Sequence, residues 1–332
     1  MISELDLIRR IRDKAALADS SIIKGIGDDC AVLAAGGAET LTLVTTDTLV
    51  EGVHFDLSWH PPELLGRKAV AVNVSDIAAM GGSPRFALLS LAAPTTCETE
   101  TLDLFMQGFM TALAAYRVTL IGGDTVRSDQ GLVLSVTVLG EVDKRQVAYR
   151  SGARPGDRIW VSGFLGQAAT GLEICRQRHT VLHKASPELT AAHLDPIPEM
   201  ALGPALAKSG LVTAMIDMSD GLASDLAHVC EESGVGAIVY AKRLPISEST
   251  RQAARTLGLD PLQLAIAGGE DYRLLFTAPP AASEKILELA GHAAFGQLFK
   301  IGEIVDEQGV VLSTDDQNNR IDFQGYDHFG GR

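Results

Sequence analysis

Cysteine is scarce and scattered in this chain of 332 residues: Cys30, Cys97, Cys175 and Cys230 are the four, and no pair has CxxC spacing. That argues against a disulfide framework or a thiolate metal site, and fits small buried apolar groups in a reducing cytoplasm. Cationic side chains are few as well. Lys and Arg total 28 against 42 Asp and Glu, giving a net charge of −14 and an isoelectric point near 5.0. Nucleic acid and anionic membranes both demand a basic face, so neither is expected as a partner. No apolar run reaches the ~18–20 residues needed to span a bilayer. The start, Met1-Ile2-Ser3-Glu4-Leu5-Asp6, lacks the basic and apolar regions of a signal peptide. The common nucleotide signatures are missing too: neither GxxxxGK[ST], nor GxGxxG, nor the HRD and DFG kinase pair occurs.

What is present is a hydrophobic share of 46%, ordinary for a well-packed protein, and a length that suggests two domains. Six short segments then set carboxylates beside glycine or small hydroxyl residues. They are Gly27-Asp28-Asp29, Thr45-Thr46-Asp47-Thr48, Asn73-Val74-Ser75-Asp76, Gly122-Gly123-Asp124-Thr125, Asp217-Met218-Ser219-Asp220-Gly221 and Gly268-Gly269-Glu270-Asp271. Most of them follow or end apolar runs. Carboxylates are costly to bury unless paired, hydrogen-bonded or metal-bound. Oxygen-only donors suit Mg²⁺ better than Zn²⁺. An acidic chain repels phosphates unless divalent cations stand between. The pattern therefore points to a site of several Mg²⁺ ions that handles phosphates.

Periodicity and turn signals organise the chain. Ser3 to Ala18 reads as an amphipathic helix, Leu41 to Thr46 as a strand, and Pro62 to Met80 as a buried helix stopped by Gly81-Gly82-Ser83-Pro84. Asn73 and Asp76 share a face of that helix, for a structural hydrogen bond or for metal ligation. Val118 to Ile121 reads as a short strand ending in a Gly-Gly-Asp-Thr loop, and Leu132 to Val142 as a long strand. The turn residues from Arg150 to Asp157 mark a boundary between domains 1–149 and 150–332. Arg176 to Leu194, with His179, His183 and His193, is polar, poorly periodic and expected to be loosely ordered. Ser219-Asp220 is expected to cap a helix running to Glu232.

In order along the chain, these segments resemble the thiamine-monophosphate kinase family. The resemblance rests on Gly25 to Asp29, Thr46 to Phe55, Ala71 to Gly81, Ile121 to Thr125, Asp217 to Leu222, Gly268-Gly269-Glu270-Asp271-Tyr272 and Gly325-Tyr326-Asp327-His328-Phe329. The wider superfamily includes aminoimidazole ribonucleotide synthetase. The resemblance implies a two-domain α/β (α+β) fold of that type, with an N-terminal sheet forming a β-barrel across a homodimer and a C-terminal α/β layer domain. It implies Asp29, Thr45, Thr46, Asp47, Asp76, Asp124, Asp217 and Asp220 as magnesium ligands. Gly123, Asp124, Arg150 and Ser219 are implied as ATP contacts, and His54, Glu270 and Phe323 as contacts to thiamine monophosphate. Thr45 stands where the family often has Ser, and Phe323 where it often has Trp. The implied reaction is in-line transfer of the γ-phosphoryl group of ATP to thiamine monophosphate. The acceptor phosphate is already anionic at neutral pH, with a second pKa near ~6, so no general base is required. The thiazolium cation would suit Glu270 and an aromatic face. The alternatives are an ATP-dependent ring-closing synthetase of the same superfamily and an ATP-binding regulator without turnover.

Overall fold

The computed structural model describes residues 3–15, 19–34, 39–291, 295–315 and 317–326. Its strands form two sheets. The first contains β1 (Ile22–Lys24), β2 (Ala31–Ala34), β3 (Thr40–Val50), β4 (Ser83–Ala93), β5 (Thr119–Arg127) and β6 (Val133–Asp143), in the order β1-β2-β3-β6-β4-β5. Neighbours run antiparallel except β4 and β5, which are parallel. The second sheet contains β7 (Arg158–Ser162), β8 (Ala214–Asp217), β9 (Gly236–Tyr240), β10 (Leu274–Ala278), β11 (Leu298–Val305), β12 (Gly309–Ser313) and β13 (Asn318–Arg320). Its order is β13-β12-β9-β11-β7-β10-β8, antiparallel except between β9 and β12.

The expected β-barrel is corrected by this topology. Closure requires the two edge strands to pair and the strands to stagger steadily around the axis. Among the described residues β1 is a three-residue strand with an irregular register that pairs only with β2, and β5 pairs only with β4. The central β3–β6 ladder runs from Thr40↔Asp143 to Val50↔Val133 without a shift. The N-terminal sheet is open.

Sequence alternation explains which face of that sheet is covered. Along β6, Leu134, Val136, Val138 and Val142 are buried, each stabilising by about 1.5–3 kcal/mol. They face the Pro62–Ala79 helix. Proline at its first position suits an N-terminus whose N–H groups lack partners in any case. From Lys68 to Ser75 every residue of this helix is buried. It packs on β3 and β6, on the Thr99–Tyr116 helix, and across the chain on β8 and the Leu202–Ser209 helix. The two N-terminal helices touch backbone to backbone. A Cβ placed at Gly108 would stand 1.8 Å from the Glu63 carbonyl oxygen, so only glycine fits.

Three local expectations change. Gly122-Gly123-Asp124-Thr125 is no loop, because β5 continues through it to Arg127 by pairing with β4 (Ser90↔Asp124). The stretch 176–194 is folded into two helices, Thr180–Ala185 and Pro187–Leu194. Leu182 and Leu189 anchor them in a small core with Ile174 and Ala253. The helix after β8 spans Leu222–Ser233, and its N-cap is Gly221, one residue beyond the expected Ser219-Asp220. The carboxylate of Asp225 instead accepts the Gly221 N–H at 3.0 Å. The N-terminal helix is described over Glu4–Lys14, so its expected end at Ala18 lies outside the described residues, as do Asp327, His328 and Phe329 of the tail motif. Among the described residues no helix is long and apolar enough to cross a membrane.

Candidate active site

Asp76 leaves the buried Pro62–Ala79 helix, Asp29 leads into β2, and Asp217 ends β8. Carboxylate oxygens of these three residues lie within 4.8 Å of one another. Oδ2 of Asp29 and of Asp217 are buried and meet no hydrogen-bond donor. Oxygens so placed cost free energy unless a cation sits among them. The guanidinium of Arg150 is the near counter-charge, donating to Asp29 Oδ1 from Nε at 2.8 Å and Nη2 at 2.5 Å. Its backbone N–H donates to Asp28 at 3.1 Å. The Thr45 hydroxyl donates to Asp76 Oδ2.

Arg150, with Lys24 3.6 Å from Asp28, is too little for several buried acids. Burial pushes Asp29 up to about 8, opposed by Arg150 and reinforced by Asp217 and Asp28. Burial pushes Asp47 up to about 7, with Asp217 and Asp220 adding repulsion. Asp76 and Asp217 are raised by the same loss of water. Hard oxygen donors, unpartnered lone pairs and excess negative charge together fit a divalent cation such as Mg²⁺.

Beside this cluster opens a cavity of about 1130 Å³, lined by Thr46, Asp47, His54, Ser219, Asp220 and Glu270 among others. Asp47 is held from its backbone: its N–H donates to Asn73 Oδ1 at 3.1 Å, and Asn73 Nδ2 donates to the Ala69 carbonyl at 3.1 Å. Asn73 thus takes the structural role of its two alternatives. His54 Nδ1 accepts the Val50 N–H at 3.0 Å. The loop 268–272 runs alongside Met218 to Asp220. The Glu270 N–H donates to Ser219 O at 2.7 Å and that of Tyr272 to Met218 O at 2.9 Å. Gly269 permits the approach, since a Cβ there would stand 2.4 Å from Ser219 O. Glu270 itself is left-handed, with φ of 68°, an uncommon conformation for a side-chain-bearing residue. Gly325 and Tyr326 reach the same cavity, the Tyr326 N–H donating to Asp220 O at 3.2 Å.

The structure thus gathers Asp29, Asp76 and Asp217 at one point and Thr46, Asp47, His54, Ser219, Asp220 and Glu270 around one space. Thr45 and Arg150 adjoin the triad. Gly123, Asp124 and Phe323 are not brought in. Asp124 is exposed on edge strand β5, where its carboxylate accepts the Thr125 N–H at 2.9 Å. Phe323 packs on the C-terminal core and meets the His228 ring edge-on at 5.3 Å. Sequence reasoning missed Lys68, whose ammonium is fully buried 2.7 Å from Glu270, and His193, whose Nδ1 lies 2.7 Å from the other Glu270 oxygen. It also missed Trp59, which lines the cavity beside His193. A lysine heading the apolar run Ala69 to Val72 of a helix expected to be buried was the available signal for the first.

Family models describe the two halves as AIR synthase related protein, N-terminal domain, over residues 27–142, and C-terminal domain, over residues 154–315. The thiamine-monophosphate kinase of Haemophilus influenzae is 38% identical over 332 residues, covering 99% of this chain and 98% of that protein. That of Bacillus subtilis is 35% identical over 99% of this chain and 100% of the relative. The solved structure of AaThiL complexed with AMPPCP and TMP superposes with a TM-score of 0.84 at 32% identity, covering 98% of this chain and 97% of that one. With similarity of this degree running end to end, the chain belongs to the thiamine-monophosphate kinase family.

Proposed function

We propose that this chain transfers the γ-phosphoryl group of ATP to the phosphate of thiamine monophosphate, giving thiamine diphosphate and ADP. The observation that carries the reading is the convergence of Asp29, Asp76 and Asp217 at one point, within electrostatic reach of Asp47 on the wall of one large cavity, in a chain similar along its whole length to thiamine-monophosphate kinases. AaThiL, similar in fold and sequence, has been solved with AMPPCP and TMP, and the cavity is large enough for a nucleotide and a second phosphate ester together.

We assign Asp29, Asp47, Asp76, Asp217 and Asp220 to Mg²⁺, with the Thr45 and Thr46 hydroxyls beside them. When bound, Mg²⁺ supplies the charge neutralisation that two polyanions need in order to meet. Arg150 and Ser219 are assigned to ATP, and His54 and Glu270 to the organic phosphate. The protein's own work is positioning. The Asn73 amide fixes the strand carrying Asp47, the glycine pair at 268–269 sets Glu270 against Ser219, and the cavity wall keeps water from the γ-phosphoryl group. No side chain need remove a proton, because the acceptor oxygen is an anion at neutral pH. In this division, residues 1–149 bring most of the acids and residues 150–332 complete the cavity. Gly123, Asp124 and Phe323 keep their assigned roles as proposals that substitution must decide. A homodimer is proposed on the exposed edge of β5, where Ile121 and Val126 are 55% and 53% exposed.

Incubation with ATP, Mg²⁺ and thiamine monophosphate tests the reading. Stoichiometric thiamine diphosphate and ADP are expected. ATP hydrolysis without thiamine diphosphate would replace it by another reaction of the superfamily, and binding without ADP release by a regulator.

A further inference from the structure

The cavity wall at Glu270 is built on a buried ionic group. Lys68 opens the continuously buried run 68–75 of the Pro62–Ala79 helix, with a side chain 0% exposed, and its Nζ stands 2.7 Å from Glu270 Oε1. His193, from the Pro187–Leu194 helix, is 1% exposed and puts Nδ1 2.7 Å from Glu270 Oε2. Glu270, with 23% of its side chain exposed, lines the cavity, as does His193, whereas Lys68 is fully buried. Two helices from different halves of the chain therefore set one nitrogen against each oxygen of a single carboxylate, on a residue already held in a left-handed backbone. Trp59 and His60 close the group from the side, their ring centroids 5.6 and 6.1 Å from that of His193.

The charges of this group sum to zero. Burial, with Lys68 adding repulsion, holds His193 below its ordinary range and pushes His60 down to about 3, so both rings are neutral. Burial favours the neutral Glu270 acid, but Lys68 and then His193 overcome it and keep the carboxyl well below its usual range. What faces the cavity is one end of a Lys–Glu dipole, whose field falls off much faster than that of a lone carboxylate.

We propose that Lys68 and His193 are positioning residues that fix Glu270 and cancel its charge, so that Glu270 binds substrate as a directed hydrogen-bond acceptor and not as the counter-ion of a cationic ring. The proposal rests on the functional reading above for the identity of the substrate, and on geometry alone for the clamp. It stands against the expectation that Glu270 pairs with the thiazolium charge, and the kinetic arm below decides between them.

The experiment has one arm for each part. In the melting arm, Lys68→Met strands a buried carboxylate and should lower the melting temperature by about 5 °C or more, while Lys68→Met with Glu270→Gln should recover most of that loss. Failure of the double variant to recover, or no loss in the single one, overturns the clamp whatever the substrate. In the kinetic arm, the folded double variant should keep a KM for thiamine monophosphate raised about tenfold, with the KM for ATP within about twofold of the parent chain. Return of the first KM to the parent value would make the group purely structural and overturn the proposal. The neutral thiophene analogue of thiamine monophosphate, with carbon in place of the charged ring nitrogen, should have a KM within about threefold of the natural ester. A loss beyond about tenfold would restore the ion-pair reading. Absence of any thiamine diphosphate from the parent chain would sink the functional reading and with it the acceptor role, leaving the clamp to the melting arm.

Discussion

Raising the pH in the absence of divalent metal should destabilise this protein, and Mg²⁺ should reverse the effect. Asp29 and Asp47 are pushed by burial from the ordinary 3.8 up to about 8 and about 7. A carboxyl that holds its proton more tightly folded than unfolded contributes stability that is full below about 3.8 and lost as pH rises through about 7 to 8. Each proton retained in that window changes stability by about 1.4 kcal/mol per pH unit. Mg²⁺ among these oxygens must displace the protons, so its apparent affinity should rise about tenfold per pH unit for each proton released, and level off above pH 8. At about a hundred times its dissociation constant it adds about 2.7 kcal/mol, roughly 4 °C for a chain of this size. Calorimetric melts between pH 5.5 and 9, with and without Mg²⁺, read all of this. A metal-free melting temperature that does not fall with pH, together with a Mg²⁺ shift equal at pH 6 and pH 8.5, would refute the reasoning.

Asp76→Asn or Asp217→Asn should cut turnover by at least about a hundredfold while leaving the metal-free melting temperature unchanged or higher, since each removes a repelling charge; near-native turnover at ordinary Mg²⁺ would remove both from the ligand set. Asp124→Asn separates an edge-strand residue from a ligand: a loss of turnover comparable to Asp76→Asn supports its assignment, and parent-like kinetics end it. Phe323→Ala should raise the KM for thiamine monophosphate more than that for ATP if its ring meets the substrate, whereas a lower melting temperature with both KM values unchanged would confine it to its packing against His228.

Local order was legible because it is written in nearest neighbours. The alternation of Leu134, Val136 and Val138 gives β6 and its buried face. Pro61-Pro62 and Gly81-Gly82 bracket the central helix. The acidic motifs were visible as carboxylates in places where solvated acids do not belong. What was not legible depends on distant partners. Gly122-Gly123-Asp124-Thr125 has loop composition, and only pairing with β4 makes it strand. The histidine-bearing stretch 176–194 has weak periodicity, and its two helices exist because Leu182 and Leu189 find Ile174 and Ala253. Lys68 stands out as a lysine in a buried helix, but its partner shows only when Glu270, some two hundred residues later, is folded against it. The open first sheet likewise follows from pairings at its edges, which neither periodicity nor resemblance revealed.

The central claim is that Asp29, Asp76 and Asp217 together hold the divalent ions on which the phosphates meet. Crystals grown with Mn²⁺ and a non-hydrolysable ATP analogue test it most directly, through the anomalous signal of the metal. The account predicts a peak within about 2.5 Å of oxygens from all three carboxylates, with Arg150 turned from Asp29 toward the nucleotide. Metal bound elsewhere, with Arg150 still closed on Asp29 and the triad empty, would contradict it.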